Sequence, residues 1–332
     1  LQTKVLTSAN EAGFTPLHSA LKEGEPANLS LYLDLLRECD PELQTQVLTS
    51  ANSAGFTPLH SALKEGEPAN LSLYLGLLRG CDKPLQAQVL TCANSAGFTP
   101  LHEALIEGNP ANLGLYLDLL RDCAKDLQEK VLTSVNSAGF TPLHSALKEG
   151  DPANLGLYLG LLRECDRSLQ VKVLTSVNSA GFTPLHSALK EGNSDNLGLY
   201  LGLLSKCDKS LQTQVLTSVN KAGFTPLHDA LISGAEVNLE LYIELLKDCD
   251  SGLRVQVLTS ANEAGFTPLH SALKEGNSTN LSLYLDLLRE CGKPLQTKVL
   301  TSVNSAGFTP LHDALIAGNP DNVGLYLGLL RE

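Results

Sequence analysis

The chain has 332 residues, 43% of them apolar, a mean hydropathy near zero and a net charge of −12. That balance fits a folded soluble chain and argues against nucleic acid, which needs a basic footprint, and against an anionic membrane surface. No apolar run reaches membrane-spanning length, because Asp, Glu, Gly or Asn interrupts every leucine-rich stretch.

The stretch Ala12 to Leu21 (AGFTPLHSAL) returns at Ala54, Ala96, Ala138, Ala180, Ala222, Ala264 and Ala306, always 42 residues on. A fixed period of this size signals a solenoid or array, in which each repeat packs mainly on its neighbours. The chain therefore reads as one body over 1–332, with repeats 1–42, 43–84, 85–126, 127–168, 169–210, 211–252, 253–294 and 295–332. It contains no Met, and Leu1 and Glu332 both fall inside a repeat. A segment of something longer, or a processed product, is the expectation.

The repeat 43–84 shows the elements in order. Leu43, Val47, Leu48 and Ala51 form a helical stripe. Asp40-Pro41-Glu42 before it supplies an N-cap, a first-turn proline and a negative charge at the positive end of the helix dipole. A short helix over 43–51 is expected, stopped by Asn52 and Gly55. Ser53 to Phe56 is a turn. Thr57-Pro58 opens a second helix, with Leu59, Ala62 and Leu63 on one face, ending near Gly66. Asn70 is placed to cap a third helix, Leu71 to Cys81, which is apolar on most sides and so the most covered of the three. Gly76, which alternates with Asp34, Asp118, Glu244 and Asp286 in other repeats, marks an exposed spot on it. No strand pattern occurs.

Thr-Pro-Leu-His-x-Ala stands in all eight repeats, flanked by Gly13 and Gly24 and by Gly55 and Gly66 in the first two. The chain resembles the ankyrin repeat family in these residues. The resemblance implies an all-α, ankyrin-like solenoid, a curved superhelical stack in which Thr15 with His18, and Thr57 with His60, form a structural hydrogen-bonded pair. It further implies a non-enzymatic scaffold that recognises proteins along a groove. The departures are the 42-residue length and the helix over 43–51 where the family has a hairpin loop. Three helices per repeat and no hairpin fingers are therefore expected. Phe occupies every position from Phe14 to Phe308 between Gly and Thr; a constant Phe reads as packing on the extra helix or the next repeat rather than as a ligand-stacking surface.

Eight equivalent histidines make a poor catalytic design, since catalysis needs a nucleophile or acid peculiar to one place. No metal or cofactor motif occurs. Seven cysteines, Cys39 to Cys291, share one column and read as small buried hydrophobes. Their free look favours the cytoplasm, with an extracellular site left open. Asn28, Asn70, Asn277 and Asn280 fit the glycosylation acceptor pattern, yet the same Asn column persists at Asn112, Asn154 and Asn238, which capping explains better.

The informative variation lies on the second helix. Lys22, Lys64, Lys148, Lys190 and Lys274 give way to Ile106, Ile232 and Ile316, and where they do the residue three earlier becomes Glu103, Asp229 or Asp313. These positions, with Glu23, are neighbours on one helix face and are the candidate groove contacts. Drift between two tolerated pairs explains the change equally well. Two readings of function stand side by side: a scaffold for a protein partner, or a structural element whose partner is a head-to-tail copy of itself, because no terminal repeat is polar.

Overall fold

A computed structural model describes residues 2–317 and 319–331. Leu1, expected on the first helix, and Glu332 lie outside the described residues. All regular structure there is helical, three helices to a repeat. A lead helix (Pro41–Thr49) is followed by an inner helix (Pro58–Glu65) and an outer helix (Pro68–Gly80). The same three follow as Lys83–Thr91, Pro100–Glu107 and Pro110–Asp122, then Lys125–Leu132, Pro142–Glu149 and Pro152–Glu164. The chain forms two compact halves, residues 1–173 and 174–332. Within each half, inner helices stack on inner helices and outer on outer, and each outer helix also lies on the inner helix of the repeat before.

The caps work as the sequence suggests. Asp40 Oδ1 accepts from Leu43 N at 2.8 Å, so the lead helix starts at Pro41 and ends at Thr49, two residues before the expected stop. Thr57 N donates to His60 Nδ1 at 3.2 Å, with Thr57 Oγ1 2.8 Å from the same nitrogen. Gly66 is obligatory for contact, because a Cβ there would lie 2.5 Å from Ala62 O. The core is leucine from all three helices plus the fully buried Tyr74, Tyr116, Tyr158, Tyr242 and Tyr284 of the outer helices. Gly76 is solvent-facing, with nothing near its Cβ direction.

Two local expectations need correction. Asn70 does not cap the outer helix; Pro68 occupies the first turn, so Glu67 is the N-cap and Asn70 sits inside. Asn70 is buried and donates through Nδ2 to Gly24 O (2.6 Å) and Ala20 O (3.1 Å) of the preceding repeat. Asn112 treats Gly66 O (2.7 Å) and Ala62 O (2.9 Å) the same way, and Asn280 treats Gly234 O and Ala230 O, both at 3.0 Å. The glycine carbonyl at the C-terminus of the inner helix is thus closed by the next repeat, and the alanine carbonyl, which already accepts from the glycine N–H, gains a second donor. The segment before the inner helix is a tight turn: Asn52 N donates to Phe56 O at 2.9 Å, and Asn52 Oδ1 accepts from Ala54 N and Phe56 N at 3.0 Å. Gly55 holds φ of +83°, and a Cβ would come within 2.4 Å of Ser95 N. Finally, Cys81, Cys123, Cys165, Cys249 and Cys291 occupy the outer-helix C-cap, and Cys39 and Cys207 follow it by one and two residues. Cys249 and Cys291 are buried as expected, but Cys39, Cys81, Cys123, Cys165 and Cys207 are only half-buried.

The lead helix is attached through a residue that the sequence reading passed over. Gln86 Nε2 donates to Leu78 O (2.9 Å) and Cys81 O (3.0 Å) at the end of the preceding outer helix. Gln128, Gln170, Gln212 and Gln296 repeat the pattern, and Arg254 replaces glutamine in one repeat.

Candidate functional site

In six of the repeats the histidine is a structural bridge to the next one. Thr57 N is a donor, so His60 Nδ1 is unprotonated and the ring proton sits on Nε2. Nε2–H then donates to Phe98 O of the next repeat at 3.0 Å. His18 with Phe56 O, His102 with Phe140 O, His186 with Phe224 O, His228 with Phe266 O and His270 with Phe308 O repeat it at 2.9–3.0 Å. Burial pushes His60, His102 and His228 down to about 4, and lowers His18 and His270; the carbonyl bond opposes this only in part. In these bridges both nitrogens are committed to the fold. Among the described residues no group of His, Cys, Asp or Glu could hold a metal ion, and no helix is long and apolar enough to cross a membrane.

The phenylalanine rings are only partly covered. Each ring stands against the histidine of its own repeat, centroids 5.5–6.0 Å apart, and is half-buried from Phe14 to Phe266. Lys64, Lys148, Lys190 and Lys274 reach over the rings of Phe56, Phe140, Phe182 and Phe266 at 5.0–6.0 Å, within cation–π range. Lys22 instead pairs with Glu65 of the next repeat at 2.7 Å, and Glu23 lies 4.0 Å from it. Lys64 pairs likewise with Glu107.

The result is a cleft between consecutive inner helices. Phe14, Phe56, Lys22, Lys64 and Glu65 line one of about 370 Å³. Phe98, Phe140, Lys148 and Glu149 line another of about 200 Å³. In the second half Phe224, Phe266, Lys274 and Glu275 line a third of about 400 Å³. The structure thus brings the candidate lysines together with phenylalanines assigned to packing; the constancy of Phe beside a variable Lys was the signal.

The acid–isoleucine repeats are built differently. Glu103 accepts from Asn94 Nδ2 at 2.8 Å, Asp229 from Asn220 Nδ2 at 2.9 Å and Asp313 from Asn304 Nδ2 at 3.1 Å. Burial raises Glu103 and raises Asp229 to about 6. These carboxylates brace their own turn more than they face solvent. Ile106 and Ile232, expected to be exposed, are half-buried; Ile316 is 69% exposed. Ser145 and Ser271, in the repeats that follow Ile106 and Ile232, are buried, whereas Ser61, which follows a lysine repeat, is not.

Among solved structures, the chain is similar to the ankyrin repeat domain of Bcl-3, described as a unique member of the IkappaB protein family. The two share 22% identity with a TM-score of 0.57 over 83% of this chain and 100% of that one. No protein-family model and no curated protein matches. The likeness establishes an ankyrin-like all-helical fold for a chain whose repeats carry a helix ahead of the ankyrin pair.

Proposed function

We propose that the chain is a non-enzymatic scaffold that binds a protein partner along the clefts between its inner helices. The observation that carries this reading is the recurrence, in each half, of an open cleft floored by two phenylalanine rings and edged by a lysine and a glutamate. Half-exposed aromatic rings beside charge suit protein recognition, where aromatic anchors supply most of the binding energy. Lys148 and Lys274 reach over Phe140 and Phe266 and lie beside Glu149 and Glu275, and circular dichroism checks that reversing their charge leaves the fold in place. A photo-crosslinker at Ser137 or Glu263, beside these clefts, should trap a partner with the native chain and lose it with Lys148→Glu, Lys274→Glu. Equal trapping by both chains would sink the reading.

A second reading is end-to-end stacking with another copy. Leu315 is 67% exposed while its counterparts Leu105, Leu231 and Leu273 are fully buried, so that helix presents a face on which a further repeat would stack. Sedimentation at rising concentration tests this: a constant mass rules out stacking with a second copy.

A further inference from the structure

We infer that the cleft between the lead helices Ser251–Thr259 and Lys293–Leu300 is a binding site for a medium-length, unbranched aliphatic carboxylate. It lies away from the inner-helix clefts and is independent of their function. The cleft holds about 390 Å³ and is lined by Arg254, Val255, Cys291, Pro294, Leu295 and Lys298. That volume is at the lower end of the range of small-molecule sites.

The argument starts from what closes the same place elsewhere. Three repeats earlier, two ion pairs tie the consecutive lead helices together: Lys125 to Asp166 at 2.9 Å and Lys172 to Glu129 at 2.6 Å. Here Ser251 and Gly292 stand where the first pair would be, and Val255 replaces the glutamate opposite Lys298. Both clasps are gone, and Lys298 is left over an apolar wall. Arg254 brings a second cation where other repeats carry glutamine, its guanidinium turned onto Leu246 O and Cys249 O at 3.0 and 3.1 Å. Among the described residues neither cation has a carboxylate within salt-bridge distance, and Glu290 at the rim is engaged by Lys247 at 3.1 Å. Lys298, with no carboxylate partner, stands beside valine, leucine and proline with the positive charge of Arg254 adjoining, which selects an anion carried on an apolar chain.

The walls say what kind of chain. Both are helices whose backbone groups are bonded within the helix, and Pro294 has no N–H. A peptide's amides would find no partners there, and burying them unpaired is costly. A hydrocarbon chain has no such need. The corresponding cleft between Lys83–Thr91 and Lys125–Leu132 also lacks both clasps, but Asp126 stands where Pro294 does, so a carboxylate would be repelled. One site per chain is therefore expected.

The test is equilibrium dialysis of radiolabelled decanoate against the full chain at low ionic strength, with decanol and acetyl-Val-Leu as comparison probes. The expected result is one decanoate per chain, bound at least about tenfold tighter than decanol. Val255→Glu, which restores the partner for Lys298, should weaken decanoate at least about tenfold while Val255→Leu leaves it unchanged. Lys298→Gln should erase the preference for decanoate over decanol, a readout that a merely structural role would not move. Circular dichroism checks that each variant is folded. Equal binding by native chain and Val255→Glu, equal affinity for decanol, several weak sites per chain, or tighter binding of acetyl-Val-Leu would each overturn the assignment.

Discussion

The seam along the inner helices and the ladder along the outer helices both join repeat to repeat, by opposite means. The seam is buried: a histidine donates forward to a phenylalanine carbonyl, and an asparagine donates back to the preceding helix end. The ladder is exposed: Arg79 with Asp122 at 3.3 Å, Arg121 with Glu164 at 2.7 Å, Lys247 with Glu290 at 3.1 Å. Buried neutral hydrogen bonds are costly to leave unmade, whereas surface ion pairs are screened and worth little. The same contrast explains where variation is tolerated. Seam residues hardly change, while Arg79 has Ser205 as its counterpart three repeats on.

Acid should break the seam first and most. A histidine held at about 4 in the fold and near 6.5 unfolded contributes stability that is complete above pH 6.5 and is lost as the pH falls towards 4. Each such histidine is worth on the order of a few kcal/mol, and several act together, so urea midpoints should drop steeply over that window. Asp229 has the opposite sign: raised to about 6, it favours the fold at low pH and loses that contribution as the pH rises through 6. Asp229→Ser should therefore make the acid loss in the second half steeper; an unchanged slope would contradict the assignment.

A single seam histidine comes next. His102→Ala strands Thr99 N in the interior, removes one of the two donors to Phe140 O and leaves a cavity, and should cost about 3–5 kcal/mol by urea denaturation. Asn112→Ala opens Gly66 O, takes the second donor from Ala62 O and should cost about 2 kcal/mol. On the outer helices the numbers shrink. Gly160→Ala, at an open helical position, should stabilise by roughly 0.5–1 kcal/mol. Arg121→Ala should change stability by less than about 1 kcal/mol, and the difference should vanish in high salt. A ladder variant that costs as much as His102→Ala would erase the contrast.

Much of this was legible in the residues. Asp40-Pro41 and Thr57-Pro58 announce helix starts because their chemistry is local, and the alternation of Gly76 with acids marks solvent correctly. What the sequence misplaced depends on the neighbouring repeat. Asn70 looks like a cap until Pro68 is seen to set the helix start one turn earlier, which turns its amide towards Ala20 and Gly24. Ile106 looks exposed, yet the fold half-buries it. Phe56 looks like core because it never varies, yet what is held constant is its backbone carbonyl and turn geometry, while its ring lines a cleft. The pairing of Glu103 with Asn94 spans only nine residues, but no local rule places that side chain on that turn.

The forward histidine bond and the backward asparagine bond give the stack a mechanical polarity. Both connect only adjacent repeats, so tension on the chain loads one interface at a time rather than the whole assembly. A half pulled from its end should yield as an elastic element that pays out stepwise. Each released repeat of 42 residues frees on the order of 140 Å of extended chain, and slack returns as the histidine finds its carbonyl again.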